Sequence, residues 1–461
     1  MVIEMPKQVK QIISTLQEHG YEAYAVGGCV RDAMLGRKPQ DWDITTSALP
    51  MQVKALFRRT VDTGIQHGTV TVLLDKEGFE VTTYRVDGKY EDGRHPTEVA
   101  FTASLAEDLK RRDFTINAMA YNETEGLVDL FSGAEDLEKG VIRCVGVAKE
   151  RFSEDALRIL RAFRFSAQLD FSIEEETLQA AKELAGNLRK ISAERIYAEL
   201  TKLLVSEHPG RLLTAYECEI TEVVLPEFDR MCETPQRHPA HYTNVGLHSL
   251  DTVRTVKRMS EYGGENGFTA EEFRYLRLAA LFHDVGKPDC RSTDGEGIDH
   301  FYGHAEAGAD TVKKILRRLK ADNATIDTVS RLVRWHDYDF VAEERPIRRA
   351  MHKIGGDLIP LLLELRRGDL VAHAEPYRTE GPGNLRKVWQ VFLGIKSREE
   401  CTSLKDLAVN GSDLIAAGFA PGKELGEVLN RLLLLVIESP ELNQKEVLLA
   451  EAEKRRENPH C

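Results

Sequence analysis

The chain has 461 residues, with 62 basic against 75 acidic side chains and a net charge of −13. That length carries several domains, and the charge excludes a molecule that grips nucleic acid through overall basicity, so a nucleic-acid partner needs a local basic surface. Seven scattered cysteines, none in a C-x-x-C pair, argue against a disulfide framework and fit a reducing cytoplasm.

Residues 1–20 show an amphipathic helical pattern carrying Glu4 and Glu18, which is not a signal peptide. Tyr24, Ala25 and Val26 read as a short buried strand ending in the turn Gly27-Gly28. Glycines there let backbone N–H groups approach an anion, and Arg31 adds a fork-shaped donor. Asp41 and Asp43 follow, two residues apart, which on a strand puts both carboxylates on one face. Such a pair repels itself unless a cation lies between, and magnesium takes one or two carboxylates plus substrate phosphates. Glu80 interrupts a β-branched and aromatic run over 79–85. The strand over 68–74 is expected to pair with that run as a hairpin, which makes Glu80 a third carboxylate for a two-metal site. Together these residues point to an enzyme that holds a nucleoside triphosphate through divalent metal.

Residues 108–118 mix charge with a helical apolar pattern; Arg112 is placed to bind triphosphate, and Asp113 and Asn117 to meet a ribose hydroxyl. Up to about residue 146 helix and strand patterns alternate, and from Lys149 almost everything reads as helix, with segments over 148–169, 173–187 and 192–206. A local basic surface is available from Lys110-Arg111-Arg112, Arg158, Arg161, Arg164, Arg189-Lys190 and Arg195. In the first of these helices Asp155, Arg158 and Arg161 step by three and share a face. An aspartate that accepts from an exocyclic amine and an arginine that donates to a ring nitrogen suit both cytosine and adenine. Guanine and uracil present the reverse order. Further along, His248, His283-Asp284, His304 and His336-Asp337 form a second group of ligand types that suit first-row transition metals as well as magnesium. Loops fall at 263–267, 294–297 and 380–383, and 432–437 is a short core segment, too short to span a bilayer.

The chain resembles the class II tRNA nucleotidyltransferases, the CCA-adding enzymes, within the wider group that includes bacterial poly(A) polymerase. The resemblance rests on Gly27-Gly28-x-x-Arg31-Asp32 with Asp41-x-Asp43, on residues 111–118, and on Asp129-Leu130-Phe131-x-Gly133-x-x-Asp136-Leu137. It continues in Glu154-Asp155-x-x-Arg158-x-x-Arg161-x-x-Arg164 and in Ile191-Ser192-x-Glu194-Arg195. It implies an α+β fold: a polymerase-β-like mixed-sheet nucleotidyltransferase head followed by an all-α neck, body and tail. The expected divisions are head 1–147, neck 148–207, body helices 208–242, an HD-type metal-binding domain 243–345 and a tRNA-binding tail 346–461. It implies Mg²⁺ on Asp41 and Asp43 with Glu80 beside them, one ion activating the tRNA 3′-hydroxyl and the other stabilising the departing pyrophosphate. Gly28, Arg31 and Arg112 would contact the nucleotide. Asp155 and Arg158 would read the base in place of a nucleic-acid template, with Arg161 and Arg164 nearby. The expected partners are ATP, CTP and the 3′ end and elbow of tRNA.

Residues 87–96 look like the flexible element that CC-only members lack, which argues against a CC-only enzyme. An A-adding enzyme stays open as an alternative. So does a poly(A) polymerase, although Val409-Asn410-Gly411-Ser412-Asp413-Leu414 with Pro421-Gly422-x-x-Leu425-Gly426 looks like the CCA enzymes' tail. The histidine series resembles the HD phosphohydrolase domain: His248, then His283-Asp284, then His304, then a final Asp337. This implies a possible second metal site, for a transition metal, with phosphodiesterase or phosphatase activity.

Overall fold

The computed structural model describes residues 2–87 and 99–457. The chain divides into two compact units, 1–226 and 227–461.

The first unit opens with helix α1 (Lys7–Glu18), whose buried face is Val9, Ile12, Ile13 and Leu16, the i, i+3, i+4, i+7 spacing of an amphipathic helix. Strand β1 (Ala23–Val26) is fully buried and leads through Gly27 into helix α2 (Gly28–Met34). Strand β2 (Ile44–Thr46), helix α3 (Pro50–Leu56) and strands β3 (Thr60–Gly64), β4 (Thr69–Leu74) and β5 (Glu77–Thr83) follow. Then come strands β6 (Arg85–Asp87) and β7 (Val99–Phe101), helix α4 (Leu105–Lys110), strands β8 (Met119–Asn122) and β9 (Gly126–Asp129), and helix α5 (Gly133–Lys139). Seven strands form one mixed sheet in the order β3-β4-β5-β2-β1-β8-β9. The β2–β5 pair is parallel and the others are antiparallel.

The expected hairpin is present: β4 and β5 pair with Val70 opposite Val81, Thr71 opposite Glu80 and Val72 opposite Phe79. The period of two sends Val70, Val72, Phe79 and Val81 into the core, which leaves Glu80 on the opposite, open face. Asp108 is fully buried and ties α4 to the sheet. It accepts from Thr45 Oγ1 at 3.1 Å and pairs with Arg111 at 2.8 Å.

Helices α6 (Ala148–Glu154), α7 (Leu157–Leu169), α8 (Glu175–Leu184) and α9 (Ala193–Leu204) complete the part of this unit that concerns the site. The single helix expected over 148–169 is broken in two. Asp155 adopts an extended conformation (φ −137°, ψ 104°), and its carboxylate accepts from the Leu157 backbone N–H at 3.0 Å. A short acidic side chain that bonds a backbone N–H two residues on competes with helix continuation.

The second unit is helical. Its central helix, Ala270–Phe282, is buried on nearly every side and starts in a capping box between Thr269 and Glu272. The described tail residues pack around Leu414, Leu432, Leu433, Val436, Ile437 and Leu448, so the short apolar run at 432–437 is core, as expected. Asn410 caps the Gly411–Ala416 helix through two backbone N–H groups. Among the described residues no helix is long and apolar enough to cross a membrane.

The division between the two units, at 226/227, falls within the expected body helices 208–242. Head and neck share one body. The segment after 345 carries Asp369, which lies against the histidine cluster of 243–345.

Candidate nucleotidyltransferase site

Two clefts in the first unit share Asp41 and Asp43. The larger, about 1290 Å³, is also lined by Glu77 and Glu80. The other, about 820 Å³, is lined by Gly27, Gly28, Arg31, Arg112, Arg161 and Arg164. The aspartates lie in the extended segment just before β2 rather than within a strand, yet the expected alternation holds. Trp42 is buried and its two neighbours are open to the cleft. The backbone carbonyl of Asp43 accepts from Val26 N–H at 3.0 Å, which locks the segment to the end of β1.

The three carboxylates feel one another. Glu80 is pushed above the usual carboxylate range by burial, then by Asp43 and Asp41. Asp43 is raised by desolvation, a shift that Arg112 opposes and Asp41 reinforces. A donor set made only of carboxylate oxygens that repel one another fits a hard divalent cation.

Across the second cleft the guanidinium groups gather on one ring. Arg164, Arg31 and Arg161 lie 4.0, 5.0 and 5.3 Å from the Phe165 ring centroid. Arg31 is held by Asn117 Oδ1 at 2.6 Å and by Asp32 at 2.9 Å. Arg161 Nε donates to Asp113 Oδ2 at 2.7 Å, and Asn117 Nδ2 donates to Asp113 Oδ1 at 3.2 Å. Arg164 forms a 2.7 Å ion pair with Glu199, and burial lowers it to about 10. Gly27 has φ +82°, and a Cβ there would come within 3.0 Å of Arg112 Nη1. Gly27 therefore allows both the turn and the close approach of Arg112. Phe165, the ring that collects three arginines, is absent from the sequence expectations because a buried phenylalanine on a helix reads as ordinary core.

Asp155 and Arg158 do not form the shared helical face expected of them, because the helix begins only after Asp155. Asp155 pairs with Arg195 at 2.7 Å. Arg158 pairs with Glu154 at 2.6 Å and donates to the Arg111 carbonyl at 2.9 Å. Neither is among the residues lining the arginine cleft, whereas Arg161 and Arg164 are. The element at 87–96 lies outside the described residues beyond Asp87.

In the second unit the sequence-predicted histidines converge. His248 sits on the Val245–Thr255 helix, His283 and Asp284 end the central helix, His304 opens the His304–Arg318 helix and His336 follows the Asn323–Trp335 helix. Besides Asp284, a second carboxylate lies against His248 and His283: Asp369, on the Ile359–Ala372 helix, at 2.9 and 3.6 Å. Asp337 lies instead 3.1 Å from His304, at the half-exposed rim, and pairs with Arg366. Sequence reasoning missed Asp369 because Arg366-Arg367-Gly368-Asp369 reads as a solvated helical turn.

The family models agree with this architecture. Residues 23–143 match the poly A polymerase head domain. Residues 170–232 match an RNA and SrmB binding site of polymerase A, and 298–452 match tRNA nucleotidyltransferase domain 2. Fold and cleft together define a nucleotidyltransferase with a polymerase-β-like head.

The CCA-adding enzyme of Enterococcus faecalis is 36% identical over 452 residues, 98% of this chain and 96% of that one. That of Lactiplantibacillus plantarum is 55% identical over 205 residues, 44% of this chain and half the length of that relative. The crystal structure of the Bacillus stearothermophilus CCA-adding enzyme in complex with CTP superimposes with a TM-score of 0.72 at 29% identity, covering 99% of both chains. The chain belongs to the CCA-adding enzyme family, whose nucleotidyl transfer uses divalent metal.

Proposed function

We propose that this chain completes tRNA 3′ ends with CCA from CTP and ATP, without a nucleic-acid template. The observation that carries the reading is that Asp41 and Asp43 line two clefts of one unit, one holding Glu80 as third carboxylate and the other holding Arg31, Arg112, Arg161 and Arg164. Asp41, Asp43 and Glu80 would hold Mg²⁺, which when bound supplies charge stabilisation to the transferring phosphoryl group. Arg31, Arg112, Arg161 and Arg164 orient and neutralise the triphosphate, and Gly28 lets the backbone come close to it. Asn117 and Asp113 fix Arg31 and Arg161 in place.

Asp155 and Arg158 read the base edge. Arg195 holds the carboxylate of the first, Glu154 holds the guanidinium of the second, and both groups are thereby set before the nucleotide arrives. Arg158 is also bonded to the residue adjoining Arg112, which lines the cleft. The tail, around its own core, is assigned to the tRNA elbow. Six described cysteines, all free, support work in the cytoplasm. Asp155→Asn tests the base reading: it should accept GTP and UTP more readily while magnesium-dependent turnover persists.

A second reading concerns the histidine cluster, which we assign to an HD-type metal phosphohydrolase site. His248, His283 and Asp369 place one donor each within 4.8 Å of one another, as do Asp284, His304 and His336, and Asp337 flanks His304. The set suits a first-row transition metal.

A further inference from the structure

The tail carries its own apolar core. Cys401, Leu407, Val409, Leu414 and Phe419 close on the apolar face of the Lys423–Glu438 helix, and every residue of that cluster falls within 401–452. A segment that buries its apolar side chains on itself needs other contacts to hold it against the helices before it.

The Glu344–Ile354 helix supplies them as a polar joint. Arg348 Nε donates to the Ile437 carbonyl at 2.8 Å, and its Nη1 pairs with Glu400 at 2.9 Å. Arg349 Nε donates to Glu438 at 2.6 Å, and Arg345 pairs with the same carboxylate. Arg398 ties Glu344 to Glu400 at 2.7 and 2.5 Å. The C-terminal end of a helix leaves carbonyl oxygens without an intrahelical partner and carries partial negative charge. The Lys423–Glu438 helix has no basic residue of its own in its last turn, and Glu438 adds a full negative charge there. Its carbonyl end is therefore neutralised by guanidinium groups from another element.

The contacts are unequal. The side chains of Arg345 and Arg349 are more than half exposed, and exposed ion pairs contribute little. Arg348 is 6% exposed, and its partner Glu400 is nearly as enclosed. A guanidinium taken out of water is strongly unfavourable once its partners move away, and its rigid fork meets both acceptors at one angle between the two helices.

We propose that Arg348 is a positioning residue for the RNA substrate: it locks the tail to the Glu344–Ile354 helix in one orientation, and an RNA long enough to meet the tail is bound more tightly for it. This rests on the assignment of the tail to the tRNA elbow. An RNA gripped at its 3′ end and again at its elbow gains affinity from the second contact only while that contact is offered at a fixed reach from the first. A tail free to swing spreads over orientations, most of which miss. Arg348 lines neither nucleotidyltransferase cleft, so its loss leaves the chemical step alone.

The test uses the full-length chain with magnesium and ATP and two CC-ending substrates, a tRNA transcript and an acceptor-stem hairpin with the same 3′ end and no elbow. Parent, Arg348→Ala and the milder Glu400→Gln are compared by kcat and KM for each RNA, and by filter binding of each RNA without magnesium. The parent should bind tRNA more tightly than the hairpin. Arg348→Ala should raise KM and the dissociation constant for tRNA roughly tenfold, a part of the roughly 100-fold or greater gain that a linked second contact supplies. Its kcat on tRNA and both constants for the hairpin should stay at parent values. Glu400→Gln, which keeps the bond to Ile437, should move tRNA binding the same way by less, and it carries the test alone where Arg348→Ala does not fold. A parent that binds tRNA and hairpin equally overturns the elbow assignment and the lock with it. A parent that prefers tRNA, with variants that keep the preference in full, overturns the lock alone. Equal losses on both RNAs mean that Arg348 serves only the stability of the fold, which also overturns it.

Discussion

At the scale of single residues, the account turns on groups whose positions are set by a second residue. Asp41→Ala removes one of the oxygen donors, and nucleotide addition should fall by roughly 10³-fold, the loss seen when charge stabilisation is withdrawn from a transition state. Binding of tRNA should change little, as a gel-shift titration would show. Arg195→Ala leaves the Asp155 carboxylate without its 2.7 Å partner. A charge-assisted hydrogen bond contributes about 1.5–3 kcal/mol, so the preference for CTP and ATP over GTP and UTP should shrink roughly 10- to 100-fold. An unaltered preference would place base selection elsewhere in the molecule.

Asp113 gives a pH prediction. It is buried, and despite that burial Arg161 and its hydrogen bonds hold it down at about 2, below its ordinary 3.8. A carboxyl whose folded value is depressed stabilises the fold above its unfolded value and loses that contribution as pH falls towards the folded one. The window is therefore pH 4 down to 2, and the amount is on the order of 2 kcal/mol. Urea titrations across that window should show stability falling in the parent chain and a flatter dependence in Asp113→Asn.

Elements show what was legible in the sequence and what was not. The glycine turn, the β4–β5 hairpin and the amphipathic helix α1 followed from local pattern, since periodicity and turn residues act over a few positions. The break at Asp155 did not, because a single side-chain bond to a backbone N–H outweighs a continuous apolar stripe on either side. Asp369 was hidden for another reason. It is 4% exposed, and its burial is decided by which helix packs against it, 121 residues from His248. Phe165 was missed in the same way, as its three arginines come from two different helices.

Asp108 shows how one buried carboxylate can join elements. It receives Thr45 of β2 and Arg111 beyond α4. Asp108→Ala removes the buried carboxylate to which Thr45 and Arg111 both donate and should cost about 3–5 kcal/mol, read as a lowered urea midpoint. A midpoint within experimental scatter of the parent would mean that α4 is anchored by its apolar contacts alone.

For the whole molecule, the acidic net charge and the nucleic-acid function are compatible because the basic residues are concentrated rather than abundant. Arg31, Arg112, Arg161 and Arg164 line one cleft of a chain that carries −13 overall. The two units also carry different donor chemistry. Carboxylate oxygens in the first suit magnesium, and imidazole nitrogens with buried aspartates in the second suit a transition metal. The units should consequently respond to different chelation regimes. A chelator selective for transition metals at millimolar Mg²⁺ should leave nucleotide addition intact and abolish any phosphohydrolase activity. Parallel loss of both would contradict separate centres.

The central claim is tested most directly with magnesium and tRNA transcripts ending at the discriminator base, at C and at CC, each given CTP alone, ATP alone or both. The account predicts completion to CCA from every start when both nucleotides are present, and no cytidine beyond the second. Addition confined to the CC-ending transcript, or long adenylate tails on unrelated RNA, would contradict it.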